Sequence, residues 1–341
     1  MNQCRKIAFV CLFLFFGAIL YQQQVFDVGP STQQSPSPVV GILTQPYQKS
    51  SSNEMYIAAS YVKWLEAGGA RSIPIPYDVT DSALLDEMFD QIDALFLPGG
   101  ATPKRSFAVD YMLGKAVRSN QESTFFPVWG TCLGMEYLVQ YMGADDNILQ
   151  QGFTSENVSL SLESVVPVGL YKENRIYSIV TNQNVTLNNH HLGLSPISFF
   201  ENLHLKQVWQ MTSLNRDSAG QLFVSTLEPI GKFPFYAVQY HPEKNAFEYA
   251  TYPNTDIPYE AIDHSEDAVD FSMAMARFVV DLARKTTGHV YSGRLPYVYT
   301  YPQEVGLGFE QVYIIPASTE QNDRPGTLRS PQRAEPLVSI E

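Results

Sequence analysis

Between residues 39 and 143 the chain alternates between two textures. Short, wholly apolar runs are followed by segments whose apolar residues recur every three or four positions. Val39-Val40-Gly41-Ile42-Leu43 is the first such run, and it stops before Pro46, as a buried strand would. Residues 53–67 carry Ala58, Tyr61, Val62 and Leu65 at helical spacing, which predicts an amphipathic helix ended by Gly68-Gly69. Ser72-Ile73-Pro74-Ile75-Pro76 reads as a strand whose prolines suit a sheet edge. Asp81 is placed to cap a helix with Leu85, Met88, Phe89 and Ile92 on one face. Ala94-Leu95-Phe96-Leu97 is another buried strand, and it runs into Pro98-Gly99-Gly100. A helix is expected over roughly 104–119, then a strand over 125–129, then a helix with Tyr137, Leu138 and Tyr141 on one face.

This alternation predicts an α/β fold: a mostly parallel central sheet with helices on both faces, flavodoxin-like. Reactive residues then belong at the carboxyl ends of the strands. From about residue 151 the texture turns β-rich. Val158–Leu162, Arg175–Thr181, Gln207–Thr212, Gln221–Thr226 and Phe235–Tyr240 read as strands, with turn signals such as Asn215-Arg216-Asp217 between them. They predict an antiparallel extension of the sheet. Residues 268–283 form a long amphipathic helix with Phe271, Met275, Phe278, Val279 and Leu282 inward. The folded domain is therefore expected over 39–287. Residues 22–38, rich in Gln, Ser and Pro, read as a flexible linker, and 288–341 as a Tyr- and Pro-rich, poorly ordered tail.

Composition narrows the setting. At 341 residues and 45% hydrophobic, the chain can bury a full core. A formal net charge of −13 argues against nucleic acid and against stable association with an anionic membrane. Arg5 and Lys6 precede the apolar run Ile7 to Leu20, which has the form of a secretory leader over 1–21; an uncleaved anchor is the alternative. The sequons at Asn157 and Asn184 fit glycosylation in the secretory route, leading to a lysosome, a vacuole or the extracellular space. Removal of the leader takes away Cys4 and Cys11 and leaves Cys132 as the last of three cysteines. A lone thiol in that route cannot form an internal disulfide.

Cys132 sits in Trp129-Gly130-Thr131-Cys132-Leu133-Gly134, between a strand and a helix. That is the pattern of a nucleophile elbow, where flanking glycines let strand and helix approach. The helix start beside the thiol favours thiolate. A thiol nucleophile needs a base, and the leaving group needs an acid. His241 emerges from the end of the run Tyr236–Tyr240, with Glu243 two residues on to orient it.

The runs Phe126–Gly134, Leu97–Gly100 and Gln239–Lys244 resemble the class I glutamine amidotransferase superfamily. Residues 56–63 (Tyr-Ile-Ala-Ala-Ser-Tyr-Val-Lys) and Trp129 are similar, more narrowly, to gamma-glutamyl hydrolases, which act on folate polyglutamates. The likeness spans about 39–287. It implies Cys132 as nucleophile, His241 as base and then acid, and Glu243 as third member. It further implies Tyr61, Glu136 and His190 as substrate-binding residues, with His191 beside His190 leaving that match open by one position. The expected reaction is attack on a γ-glutamyl carbonyl through a thioester, with the oxyanion held by N–H groups of Leu133 and of Gly99 or Gly100. The substrate would be a pteroylpoly-γ-glutamate; no cofactor and no metal are implied, and a homodimer is compatible. A polyanionic substrate needs local cations, and Lys104, Arg105 and Lys244 lie near the motifs. The competing readings are a glutaminase-type amidotransferase, which would need a synthetase partner, and an inactive binding homologue.

Overall fold

The computed structural model describes residues 35–318, apart from 48–53, 103 and 307. The expected leader, most of the linker and the chain beyond 318 lie outside the described residues. The strands are β1 (Val39–Leu43), β2 (Gln45–Pro46), β3 (Met55–Ala58), β4 (Arg71–Ile75), β5 (Ala94–Leu97), β6 (Val128–Thr131), β7 (Gln150–Leu160), β8 (Thr186–Gly193), β9 (Trp209–Arg216), β10 (Leu222–Pro229), β11 (Phe235–Val238), β12 (Gln303–Glu304) and β13 (Val312–Ile315).

The central sheet has the order β4-β1-β5-β6-β11-β10-β9. From β4 to β11 every neighbour is parallel, and β10 and β9 then add an antiparallel hairpin. This is the expected α/β architecture, but its antiparallel extension is smaller than expected: β10 and β9 form it, β11 lies parallel to β6, and β7 pairs with β8 in a separate two-stranded sheet. The central strands are buried on both sides, so they show no polar alternation. Their side chains still alternate between two cores. Val39, Leu43, Leu95 and Val128 join one, while Val40, Ile42, Phe96 and Trp129 join the other. The first core is closed by the helices Ser82–Phe89, Phe107–Gln121 and Leu133–Gly143, and the second by Ala59–Ala67, Asn174–Asn182 and Glu266–Ala283. Asp81 caps its helix as expected, its side chain accepting from the Ala83 N–H, and β4 lies at the sheet edge where its prolines cost no ladder bond.

Three expectations fail for physical reasons. Residues 174–182 form a helix, not a strand. Ile176, Ile179 and Val180 share its buried face, so tertiary packing overrides the β propensity of Ile, Tyr and Val. Met55–Ala58 is a strand, and the helix begins only at Ala59. Its partner is β13, with Met55 opposite Ile315 and Ala58 opposite Val312. The supposedly unordered tail is therefore packed as far as residue 318. β13 is wholly buried, the His289 ring bonds the Phe89 carbonyl at 2.8 Å, and Arg71 lies 4.6 and 4.7 Å from the Tyr297 and Tyr299 ring centres.

Glu228 on β10 is fully buried, and its carboxyl accepts the Leu170 N–H at 3.2 Å. Burial pushes its pKa up to about 8, against the pull of the Leu170 and Thr212 bonds. The folded protein thus holds a proton that the unfolded chain releases above its ordinary 4.5. Stability from this group is complete below that value and is lost as pH rises through 8. Glu228→Gln, which keeps the shape and removes the ionisation, should raise the melting temperature at pH 7.5 by several degrees. The gain should vanish near pH 4.5; a gain that is the same at both pH values would contradict this account.

Candidate active site

Strand β6 ends at Thr131, and the chain turns at Cys132 with φ 52° and ψ −111° before the helix Leu133–Gly143. This is a strained backbone for a residue with a side chain. Two bonds hold it: the Cys132 N–H donates to the Val238 carbonyl at 2.8 Å, and the Glu136 N–H donates to the Cys132 carbonyl at 3.0 Å. The flanking glycines are required. A Cβ on Gly130 would stand 2.6 Å from the Gly134 carbonyl, and one on Gly134 only 1.9 Å from the Leu97 oxygen.

β5, β6 and β11 are adjacent and parallel, so their carboxyl ends deliver Pro98-Gly99-Gly100, Cys132 and His241 to one place. Cys132, His241, Gly99 and Gly100 line a cleft of about 550 Å³. His241 is anchored by its N–H to the Leu187 carbonyl at 2.9 Å, and its Nδ1 lies 2.8 Å from Glu243 Oε1. Glu243 is fully buried. The arrangement leaves Nε2 as the ring atom able to exchange a proton.

The thiol itself is not thiolate-prone. Burial pushes the Cys132 pKa up, the Glu136 carboxylate adds to this, and the Leu133 N–H opposes it without prevailing. The helix-start argument for a thiolate fails here because desolvation outweighs one backbone donor. Glu136 is itself buried, bonded by Gln239 Nε2 at 3.2 Å, and pushed up to about 7 by burial.

Tyr61, expected to bind substrate, lies outside the cleft lining. It is 2% exposed and belongs to the second core. Its hydroxyl accepts the Gly99 N–H at 2.8 Å and lies 3.3 Å from His241 Nδ1. The Gly99 N–H is thereby occupied, and of the two glycine amides this contact engages Gly99 alone. His190 faces inward from β8 against Phe153 and Phe223, while His191 points outward to Glu156. Burial lowers the His190 pKa to about 4, so the ring is neutral. Neither Glu136 nor His190 lines the cleft; the Glu136 carboxylate is close enough to act on Cys132, and His190 is close enough for His241 to help keep it neutral.

Of the three expected cations, only Lys244 lines the cleft. Lys104 is exposed elsewhere, and Arg105 is tied to Asp110 at 2.6 Å and Asp146 at 2.8 Å. Lys244 is bonded to Glu260, which also accepts from Asn189 Nδ2 at 2.9 Å. Burial raises the Glu260 pKa, but Lys244, His241 and Asn189 together hold it below the usual value. Several residues of the cleft escaped sequence reading: Gln45, Asn189, Tyr259, Glu260 and Phe309. Only Gln45 carried a signal, since it follows the carboxyl end of β1; its amide is buried with neither polar atom bonded to protein. Asn157 and Asn184 are both exposed. Among the described residues no group of His, Cys, Asp and Glu side chains is arranged to hold a metal ion, and no helix is long and apolar enough to cross a membrane.

The glutamine amidotransferase class-I family model matches residues 53–256, which defines the class to which this elbow and sheet belong. The chain is 31% identical to gamma-glutamyl hydrolase B of Dictyostelium discoideum over 89% of its own length and 90% of that protein. It is 34% identical to gamma-glutamyl hydrolase of Rattus norvegicus, covering 76% and 82%, and 30% identical to gamma-glutamyl hydrolase 1 of Arabidopsis thaliana, covering 84% of both. The chain belongs to the gamma-glutamyl hydrolase family of enzymes. The coverage reaches beyond residues 39–287, in keeping with the packed tail.

A Cβ on Gly99 would lie 2.6 Å from His241 Cε1 and 2.8 Å from the Tyr61 oxygen. Gly99→Ala should therefore displace the imidazole and lower kcat about 10²-fold or more, since small misplacements of a reacting group have effects of that order. Circular dichroism should stay near wild type. Unchanged turnover would show that the ring tolerates the shift.

Proposed function

We propose that this chain hydrolyses the γ-glutamyl amide bonds of pteroylpoly-γ-glutamates, with Cys132 as nucleophile. The supporting observation is the strained Cys132 elbow opening into the same cleft as the His241–Glu243 pair. Substrate entry brings the scissile carbonyl to the neutral thiol. His241 Nε2 takes the thiol proton as sulfur attacks, and Glu243 stabilises the imidazolium that forms. The N–H groups of Leu133 and Gly100 hold the tetrahedral oxyanion. His241 then protonates the leaving amine, a thioester forms, and water activated by the same imidazole releases the acid. Tyr61, Glu136 and His190 act from behind the cleft, on the orientation and charge of this machinery.

The size of the cleft and its aromatic lining, with Tyr47, Tyr56, Tyr252, Tyr259 and Phe309, suit an aryl-bearing substrate that can stack. Buried carboxyls with raised pKa values suit an acidic compartment, in line with a lysosomal or vacuolar address. The glutamine amidotransferase class-I match fits a glutaminase-type reading as well, but the relatives that are similar over most of the chain are gamma-glutamyl hydrolases, and they favour hydrolysis.

Cys132→Ala should abolish release of glutamate from a pteroyl-γ-triglutamate while the melting temperature holds. With wild-type protein, rapid acid quench and mass spectrometry should find an acyl adduct on the peptide containing Cys132. Retained hydrolysis by Cys132→Ala would rule out the thiol mechanism.

A further inference from the structure

Among the described residues lining the cleft, Lys244 is the one lysine or arginine, and it is already paired. Its side chain is 4% exposed and that of Glu260 is 9% exposed. Asn189 fixes the second Glu260 oxygen, and the Phe309 ring centre lies 5.1 Å from the lysine nitrogen. Past Glu260 a smaller cavity of about 190 Å³ is lined by Glu248, Asp256 and His264. This end of the cleft is thus charge-balanced or negative before any substrate arrives.

From these contacts we infer that Glu260 is a specificity-determining residue: it holds Lys244 in a compensated pair that a substrate carboxylate enters only by exchange. The inference rests on the proposed γ-glutamyl hydrolysis and says how that cleft selects among anions. Two carboxylates competing for one ammonium repel, and the repulsion is least screened where water is excluded. The resident pair is a demanding competitor because both glutamate oxygens have partners, which is the condition under which a buried ion pair holds. Glu260 stays ionised into the acidic range, so protonation does not clear it from Lys244. One glutamyl carboxylate can replace it. Further carboxylates meet Glu260 and Asp256, with Glu248 beside them held nearer neutral by burial, so a γ-glutamate chain is turned away from this lobe. Folate polyglutamates thereby bind less tightly than a free lysine would permit.

The test is ligand binding to the full chain carrying Cys132→Ala, so that the probe is not consumed. The probes are pteroyl-γ-triglutamate and its α-carboxamide analogue, which has the same shape without those charges. Glu260→Gln removes the charge and keeps one acceptor oxygen for Lys244; its amide nitrogen donates, and Asn189 meets it by turning its own carbonyl oxygen toward it. It should tighten triglutamate binding about tenfold, a size typical of one unscreened partner charge in a cleft, and leave the carboxamide within about twofold. Adding Lys244→Met should cancel the gain. Glu260→Met, matched in length, serves in place of a glutamine variant that does not fold, with the same outcome expected. Unchanged or weaker triglutamate binding, or an equal gain for both probes, would overturn the assignment. If the charge-dependent gain is seen but wild-type protein cleaves no γ-glutamyl bond, the proposed function falls and the role of Glu260 stands. If hydrolysis is intact and binding ignores the charge, the role of Glu260 falls alone.

Discussion

Gly134 lies so near strand β5 that a Cβ there would stand 1.9 Å from the Leu97 oxygen. This close approach drives the helix Leu133–Gly143 down onto β5 and β6 and leaves Cys132 no ordinary backbone conformation between strand and helix. The strain at φ 52° is of order 1–3 kcal/mol for such a residue. It is tolerated because the Cys132 N–H is bonded to Val238 and the helix begins at once on its carbonyl. The same packing sets the site. β5, β6 and β11 are neighbours only because the sheet is parallel there, and parallel strands put all their carboxyl ends on one side. The glycine contact, the sheet order and the convergence of thiol, imidazole and glycine amides are one arrangement seen at three scales.

Charge follows a consistent rule as well. Asp93, Glu136 and Glu228 are buried, and burial pushes them up to about 6, 7 and 8 respectively. Each binds its proton more tightly folded than unfolded, so each stabilises the fold most below the ordinary carboxylate range and loses that contribution as pH rises through its folded value. The architecture therefore favours acid. Glu136 links this to chemistry: its carboxylate raises the Cys132 pKa, and its protonation below neutral pH relieves that repulsion. Glu260 is the counterexample, held ionised by Lys244. The acids buried in the scaffold and the acid lining the cleft thus carry opposite protonation habits.

What the sequence made legible is what is encoded locally. The buried runs at 39–43 and 94–97 could be read because burial on both faces leaves no polar residue in them. The elbow could be read because two glycines bracket the cysteine, and His241 because it breaks out of a strand end. What stayed hidden is encoded across distance. Met55–Ala58 runs directly into a helix and pairs with Val312–Ile315, more than 250 residues later, so neither segment shows its partner. Arg175–Thr181 has strand-like composition, and only the core facing Ile176, Ile179 and Val180 makes it helical. The helical spacing of Tyr61 places it on its helix, but nothing in that spacing says that its hydroxyl meets the Gly99 amide. Glu260 carries no local mark at all; its meaning comes from Lys244 across the cleft.

The raised Cys132 pKa bears on how such a site can work. A resting thiolate at a helix start would be a ready nucleophile, but also a target for oxidation. Here burial pushes the thiol pKa up, and in the proposed mechanism its proton moves in the same event as its attack. That demands an imidazole already aimed, since no stored thiolate can wait for it. The His241 ring is held at one nitrogen, Nδ1, which lies 2.8 Å from Glu243 Oε1 and 3.3 Å from the Tyr61 hydroxyl. Tyr61 in turn is fixed by Gly99, so the ring and the glycine loop are registered against each other through one buried oxygen. The protection of the thiol and the rigidity of its base are therefore a single design. Loosening the tyrosine contact would leave a sulfur that is safe from oxidation and slow to react.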